Sequence, residues 1–225
     1  MKLRDAKQKI DELANIPFKQ YLEPVVFEDT MLKLNKGRTG QLLELTIGLN
    51  LSNTTLDFED GELKTNKCDR LGNPLETMFI TQTSTMMDEI LSSKNFYQTK
   101  LYAKLQHLLY VPISKEGPQS DWMFLPCIEV DLSNSIYKEL SNQLERDYYN
   151  ICSQFNQMLQ SSPTAMLHTA NGQFLQIRTK DSKPYRPIYS NIYHRNISDK
   201  NRAFYFKKDF MRYIVSTNKW SISAS

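Results

Sequence analysis

The chain has 225 residues, 40% of them hydrophobic and 24% charged, and a formal net charge of only +3. That is enough apolar material for one sizeable core, or a core plus a second lobe, and it excludes a disordered tail or linker. No apolar run reaches the length of a signal-peptide core or a membrane span, and the three scattered cysteines (Cys68, Cys127, Cys152) suggest neither a disulfide framework nor a zinc site, so the expected setting is the cytoplasm.

The charge is unevenly spread. From Thr164 onward eleven Lys and Arg stand against three Asp, a balance of +8, while the first 163 residues carry a balance of −5. Such a split suits a chain that holds a cation on carboxylates in one part and grips a polyanion with another.

In chain order, Leu3, Ala6, Ile10 and Leu13 recur at helical spacing ahead of Pro17, which predicts an amphipathic helix over 3–14. Gly37-Arg38-Thr39-Gly40 leads into a second helix over 41–49, where Glu44 lies among apolar residues. A buried carboxylate is costly unless it is paired or binds a cation, which makes Glu44 a candidate site acid. Glu62-Leu63-Lys64 alternates as a strand, so Glu62 and Lys64 share one face and Leu63 points to a core. Asp57 lies five positions earlier, and Gly61 permits a tight turn between the two acids.

Two hard oxygen ligands suit Mg²⁺, which binds through one or two carboxylates, keeps several waters and takes further ligands from a substrate phosphate. Lys64 beside them suits orienting an attacking water and offsetting charge on the phosphate, which is phosphodiester hydrolysis. The same spacing also occurs in solvated strand edges that carry a plain Glu/Lys pair.

Residues 68–74 have turn composition, and 76–82 returns as a strand expected to form a hairpin with the acid-x-Lys strand. Helical patterning from Tyr97 to His107 carries Lys100 and Lys104, and 108–113 and 122–128 read as buried strands. A long helix over 133–160 has a single apolar stripe. It is broken at Ser161-Ser162-Pro163, which divides the chain into a catalytic lobe, 1–163, and a basic recognition lobe, 164–225. The second lobe reads as a strand over 173–179, then a polar loop over 180–202 with Lys183, Tyr185, Arg186, Tyr189, Tyr193 and Arg195 interleaved. A short strand over 203–206 and a last helix opened by Lys207-Lys208 complete it. The expected class is α+β, with a mostly antiparallel sheet and two lobes around a cleft. The basic loop suits phosphate contact and groove entry. His107, His168 and His194 are scattered and receive no role.

Taken together these segments resemble the MutH family, the methyl-directed mismatch-repair endonuclease and its relatives among GATC-cutting restriction enzymes. Lys36-Gly37-Arg38-Thr39-Gly40-Gln41-Leu42-Leu43-Glu44 is similar to the family's K-G-x-x-G-x-L-L-E. Asp57-Phe58 with Glu62-Leu63-Lys64-Thr65 is similar to D-F…E-L-K-T, and Leu71 to Thr77 to L-G-x-P-L-E-T. Lys104-Leu105 precedes Leu109-Tyr110-Val111-Pro112-Ile113 as the family's K-L precedes its V-L-W-I-P-V strand. Phe174 to Lys180 looks like Y-L-Q-I-R-P-K, and Ala203 to Phe210 like G-F-Y-L-K-K-N-F. Six short motifs in the right order make a specific match.

The resemblance implies a Mg²⁺-dependent, sequence-specific DNA endonuclease with a restriction-endonuclease-like, PD-(D/E)xK fold. By position, Asp57 and Glu62 would be metal ligands, Lys64 the catalytic lysine, and Glu44 and Lys104 supporting residues. Arg178 and Lys180 would fall where the family contacts bases and backbone, and Tyr205 where it senses adenine and its methylation. Arg186 joins the candidate DNA contacts, and Lys207 and Lys208 suit phosphates. An Arg reading guanine bidentately is the commonest specific base contact.

The chain departs from the family in three places. The spacer between Asp57 and Glu62 is shorter, with Glu59 and Asp60 intruding; Thr179 stands where the family has proline; and the loop over 181–200 is unlike the repair enzyme's. Because the matching is confined to motifs, the leading expectation is a type II restriction endonuclease cutting GATC or a related site. The alternatives are a mismatch-repair nicking enzyme that needs an activating partner, and a non-catalytic DNA-binding domain of the same fold. Double-stranded DNA is the expected partner, with a transient homodimer as one route to cutting both strands.

Overall fold

The computed structural model describes residues 1–21, 38–49, 56–161, 172–180, 187–198 and 202–218. Its helices are α1 (Leu3–Leu13), α2 (Phe18–Tyr21), α3 (Arg38–Thr46), α4 (Met87–Leu91), α5 (Lys100–Leu105), α6 (Lys138–Ser161) and α7 (Lys208–Thr217). Its strands are β1 (Glu62–Cys68), β2 (Met78–Gln82), β3 (His107–Ser114), β4 (Met123–Phe124), β5 (Ile128–Asp131), β6 (Leu175–Thr179), β7 (Ile188–Ser190), β8 (Arg195–Ser198) and β9 (Arg202–Phe206). The class is α+β, as expected. No helix among the described residues is long and apolar enough to cross a membrane.

The chain forms two compact units, one of residues 1–76, 107–131 and 212–225, the other of 77–106 and 132–211. Each is built from separated segments, whereas the sequence suggests a single cut after residue 163. That cut lies outside the described residues.

In the first unit β3 is the central strand. It pairs with β1 in parallel and with β4 and β5 antiparallel. Its residues from Leu108 to Ser114 are all buried, the continuous apolar run of a strand covered on both faces. The apolar stripe of α1 (Leu3, Ala6, Ile10) packs with Leu42, Leu43 and Ile47 of α3 and with Leu63, Leu109 and Val111 of the sheet into one core. Each of the Leu, Ile and Val side chains among them contributes roughly 1.5–3 kcal/mol through its burial. The segment expected as one strand over 122–128 is two, because Pro126 between them has no N–H to offer a ladder.

The expected hairpin between β1 and β2 does not form. After Cys68, the Asp69 carboxylate accepts the amides of Leu71 at 2.9 Å and Asn73 at 2.8 Å, and Gly72 takes a left-handed φ of +77°. The chain turns back for one antiparallel bridge, Cys68 to Pro74, and then leaves. β2 pairs instead with β9, antiparallel, and β1 takes β3 in parallel, so the sheet of the first unit is mixed, with its other two pairings antiparallel.

In the second unit β9 lies between β2 and β6. The long helix starts at Lys138, after a turn over Ser135–Tyr137 that the Asn134 side chain caps. The helix expected from Tyr97 is shorter, α5, capped by Thr99, whose hydroxyl accepts the Tyr102 amide at 3.0 Å. From α6 the buried Asp147 carboxylate accepts the amides of Gln173, Phe174 and Leu175 at 2.6–2.9 Å and so fixes the entry to β6. The stretch read as a loop over 180–202 contains the β7–β8 hairpin.

Candidate active site

β1 opens at Glu62, and strand alternation sends Leu63 into the core while Glu62 and Lys64 share the other face. Glu62 is only 2% exposed. The Lys64 ammonium donates to Glu62 Oε1 at 2.6 Å and to the Leu63 carbonyl at 3.2 Å. A carboxylate this buried needs such a partner, because an unpaired buried charge costs several kcal/mol.

The turn before β1 delivers the second acid. Phe58 is buried in the core and its amide donates to the Gly61 carbonyl at 2.9 Å. The Asp57 carboxylate accepts the Leu63 amide at 2.9 Å, which holds it against the start of the strand. The two intruding acids turn elsewhere: Asp60 Oδ1 accepts the Leu3 amide at the head of α1 at 2.7 Å, and Glu59 takes the terminal amine of Met1 at 2.8 Å. Asp57 is therefore the acid that accompanies Glu62.

Gly61 is needed here for a reason other than the expected one. Its φ is not left-handed. A Cβ at this position would lie 2.6 Å from Leu3 Cδ1 and 2.8 Å from the His107 carbonyl oxygen, so the turn passes too close to α1 and β3 for any side chain.

Glu44, half-buried on α3, completes the acidic group. Its carboxyl is raised above the usual carboxylate range, first by burial and then by the charge of Asp57; Lys64 opposes the shift and Glu62 adds to it. The charges of Asp57, Glu62 and Lys64 thus all reach Glu44, three carboxylates in the field of one ammonium. Among the described residues no group of three or more His, Cys, Asp and Glu is arranged as a ready metal cage. Lys104 sits in the last turn of α5, half-buried, in the other unit.

His107, the first residue of β3, had no role assigned from its sequence context. Its Nδ1 lies 2.8 Å from the Asp60 carbonyl and its Nε2 2.9 Å from Glu129 Oε1. Nothing local in the sequence marks it, since its partners lie 47 residues before it and 22 after it. The cysteines are free and buried, and burial pushes the thiols of Cys68 and Cys127 up to about 12 and that of Cys152 up to about 11, so none is a reactive thiolate.

The second unit carries a cationic and aromatic surface on the β2–β9–β6 sheet. Arg178, exposed on β6, donates to Thr77 Oγ1 at 2.7 Å, and its guanidinium lies 5.5 Å from the Tyr205 ring centre. The Lys180 ammonium lies 4.1 Å over the Phe79 ring, and Phe79 meets Tyr205 edge to face at 5.7 Å. Phe79 is a further member that the strand pattern signals, because it alternates with the buried Met78 and Ile80 and so faces outward. Lys207 donates to the Gly172 carbonyl at 3.0 Å, and Lys208 opens α7 half-buried. Arg186 lies outside the described residues.

A family model described as "DNA mismatch repair enzyme MutH" matches residues 49–146. The chain is 29% identical over 189 residues to the DNA mismatch repair protein MutH of Citrobacter koseri, covering 82% of this chain and 78% of that protein. To the protein of the same name from Escherichia coli K12 it is 29% identical over 184 residues, covering 80% and 76% of the two chains.

Proposed function

We propose that the chain is a member of the MutH family, on its likeness to that family's model and to MutH proteins, and that it is a divalent-cation-dependent DNA endonuclease of the mismatch-repair type with a restriction-endonuclease-like fold. The observation that carries this reading is the acidic group of Asp57, Glu62 and Glu44 around Lys64.

The donor set fits the cation. Three carboxylates face one ammonium, and burial first, then the charge of Asp57, drives Glu44 toward its protonated form, so the site is short of positive charge. Mg²⁺ takes hard oxygen donors and needs only one or two carboxylates besides water and phosphate. Asp57 and Glu62 would hold it, and when bound it supplies Lewis-acid polarisation of the phosphate. Lys64, anchored on Glu62, presents its ammonium to the attacking water and to the charge that grows on the phosphate. Glu44 would support the site. Arg178 and Lys180 would contact bases and backbone of double-stranded DNA, Tyr205 would sense adenine and its methylation, and Arg186, Lys207 and Lys208 would meet phosphates. Catalysis then belongs to the unit that holds β1 and sequence reading to the unit that holds β6 and β9.

The expectation of a type II restriction endonuclease rested on similarity confined to motifs. The likeness to mismatch-repair proteins extends over 82% of the chain, so the nicking role now leads. One observation supports restriction as a second reading: the family model ends at residue 146, before the strands β6 and β9 that carry Arg178 and Tyr205, which allows a different recognised site.

The test is a Mg²⁺-dependent digest of one plasmid prepared with GATC unmethylated, hemimethylated and fully methylated. The expected result is nicking of unmethylated strands, weak until a mismatch-repair activator is added. Linear fragments from the protein alone, through a transient homodimer or two sequential cuts, would establish restriction. Glu62→Ala should abolish cleavage and leave DNA binding within about twofold, because it removes a metal ligand and spares the base-reading sheet; parallel loss of binding would overturn the assigned roles.

A further inference from the structure

We propose that His107 is a positioning residue for the acidic site: bonded at both ring nitrogens, it holds the Asp60 carbonyl and so fixes the turn that presents Asp57 beside Glu62. The proposal rests on the nuclease reading for its consequence and on geometry alone for its substance.

The turn is pinned from three sides. Asp57 accepts the Leu63 amide, Asp60 Oδ1 accepts the Leu3 amide, and the Asp60 carbonyl meets His107 Nδ1 at 2.8 Å. Of these the imidazole is the only link that can change with protonation near neutral pH. Gly61, next to Asp60, runs against the backbone of His107 itself, so a shift of the ring is felt within one residue of Glu62.

The partners dictate where the protons lie. A carbonyl only accepts, and an ionised carboxylate only accepts. With Asp60 O on Nδ1 and Glu129 Oε1 on Nε2, the ring must donate from both nitrogens, which is the imidazolium. The charged groups acting on the ring are Glu129 and Asp131 on β5, with Lys7 of α1 acting on Glu129, while Asp60 meets it through its backbone carbonyl. When the ring loses a proton, the one that remains goes to the stronger acceptor, the Glu129 carboxylate. Nδ1 then turns a lone pair toward the Asp60 carbonyl, and the turn loses its hold.

Glu129→Gln separates this from a merely structural role. A neutral ring can then donate from Nδ1 to Asp60 and accept at Nε2 from the glutamine amide, so the turn stays fixed whether or not the ring is charged.

The experiment is an NMR titration of the intact protein, free of metal and DNA, between about pH 5 and 9. The Leu63 amide, which rests on Asp57, is followed beside the His107 ring. In the parent protein the two should shift with one midpoint; in Glu129→Gln and in His107→Gln the Leu63 amide should no longer follow. A Leu63 amide that stays still while His107 titrates, or that still moves in Glu129→Gln, overturns the proposal. The plasmid digest over the same range should show the parent losing on the order of tenfold more activity at the alkaline end than Glu129→Gln, the size usual for groups that orient metal ligands. Absence of cleavage at every pH with Leu63 still coupled to His107 would sink the nuclease reading and leave the positioning intact. Cleavage without that coupling would do the reverse.

Discussion

Arg178 shows what a single side chain can be asked to do. Its guanidinium is exposed, steadied by Thr77 Oγ1 and by the Tyr205 ring, so it is held in place without being neutralised. A bidentate contact to guanine from such a group is worth roughly 1–3 kcal/mol of discrimination. Arg178→Ala should therefore lower affinity for the preferred site and leave other sequences nearly unchanged, as measured by binding across a panel of single-base variants; equal weakening of all sequences would make it a phosphate contact. The strand was legible because Leu175 and Ile177 alternate with Gln176 and Arg178, and Arg178 was singled out by the family resemblance. Glu62 and Lys64 were legible for the same reason. His107 and Asp147 were not, because a lone histidine and an acid on a polar helix face take their meaning from partners far away in the chain.

Elements are fixed here by close approaches of backbone as much as by apolar stripes. At Gly61 the turn before β1 touches both Leu3 and the His107 carbonyl, and at Gly172 a Cβ would overlap the Asp147 carboxyl that anchors β6. Gly61→Ala and Gly172→Ala should each cost about 1–3 kcal/mol, the usual penalty for overpacking, read from urea unfolding. Gly61→Ala should also reduce cleavage more than its stability loss explains, while Gly172→Ala should act on DNA binding. The periodicities of α1, β3, α6 and β9 were readable because each buries one face or both along its whole length. The pairing of β2 was not. Residues 69–73 make a real turn, but the strand that follows finds its partner at 202–206, a choice made by tertiary contact. The β7–β8 hairpin was hidden because strands of three and four residues amid Pro, Tyr and Ser leave too little alternation to see.

For the whole molecule, protonation and stability are coupled through two groups. Glu44 has its folded pKa raised by burial and by Asp57, so it contributes stability below the ordinary carboxylate value, which is lost as pH rises through the folded one. For His107 burial works downward, but the bonds to Glu129 and Asp60 prevail and raise it, so its contribution is full below about 6.5 and is lost as pH rises through the folded value. Unfolding free energy measured against pH should fall in both windows; Glu44→Gln should remove the acidic fall and His107→Gln the one near neutrality. The uneven charge of the chain was plain from composition, whereas its division into two interleaved units was not, because β3 and β5 return late to complete a sheet begun by β1. That late return sets the order in which the first unit can assemble during synthesis. Glu62 pairs with Leu108, and a parallel pair needs a long crossover before it can close. A ribosome-bound chain that has released only β1 therefore carries Asp57 and Glu62 without the strand that seats them, and the acidic group is assembled only once β3 has followed.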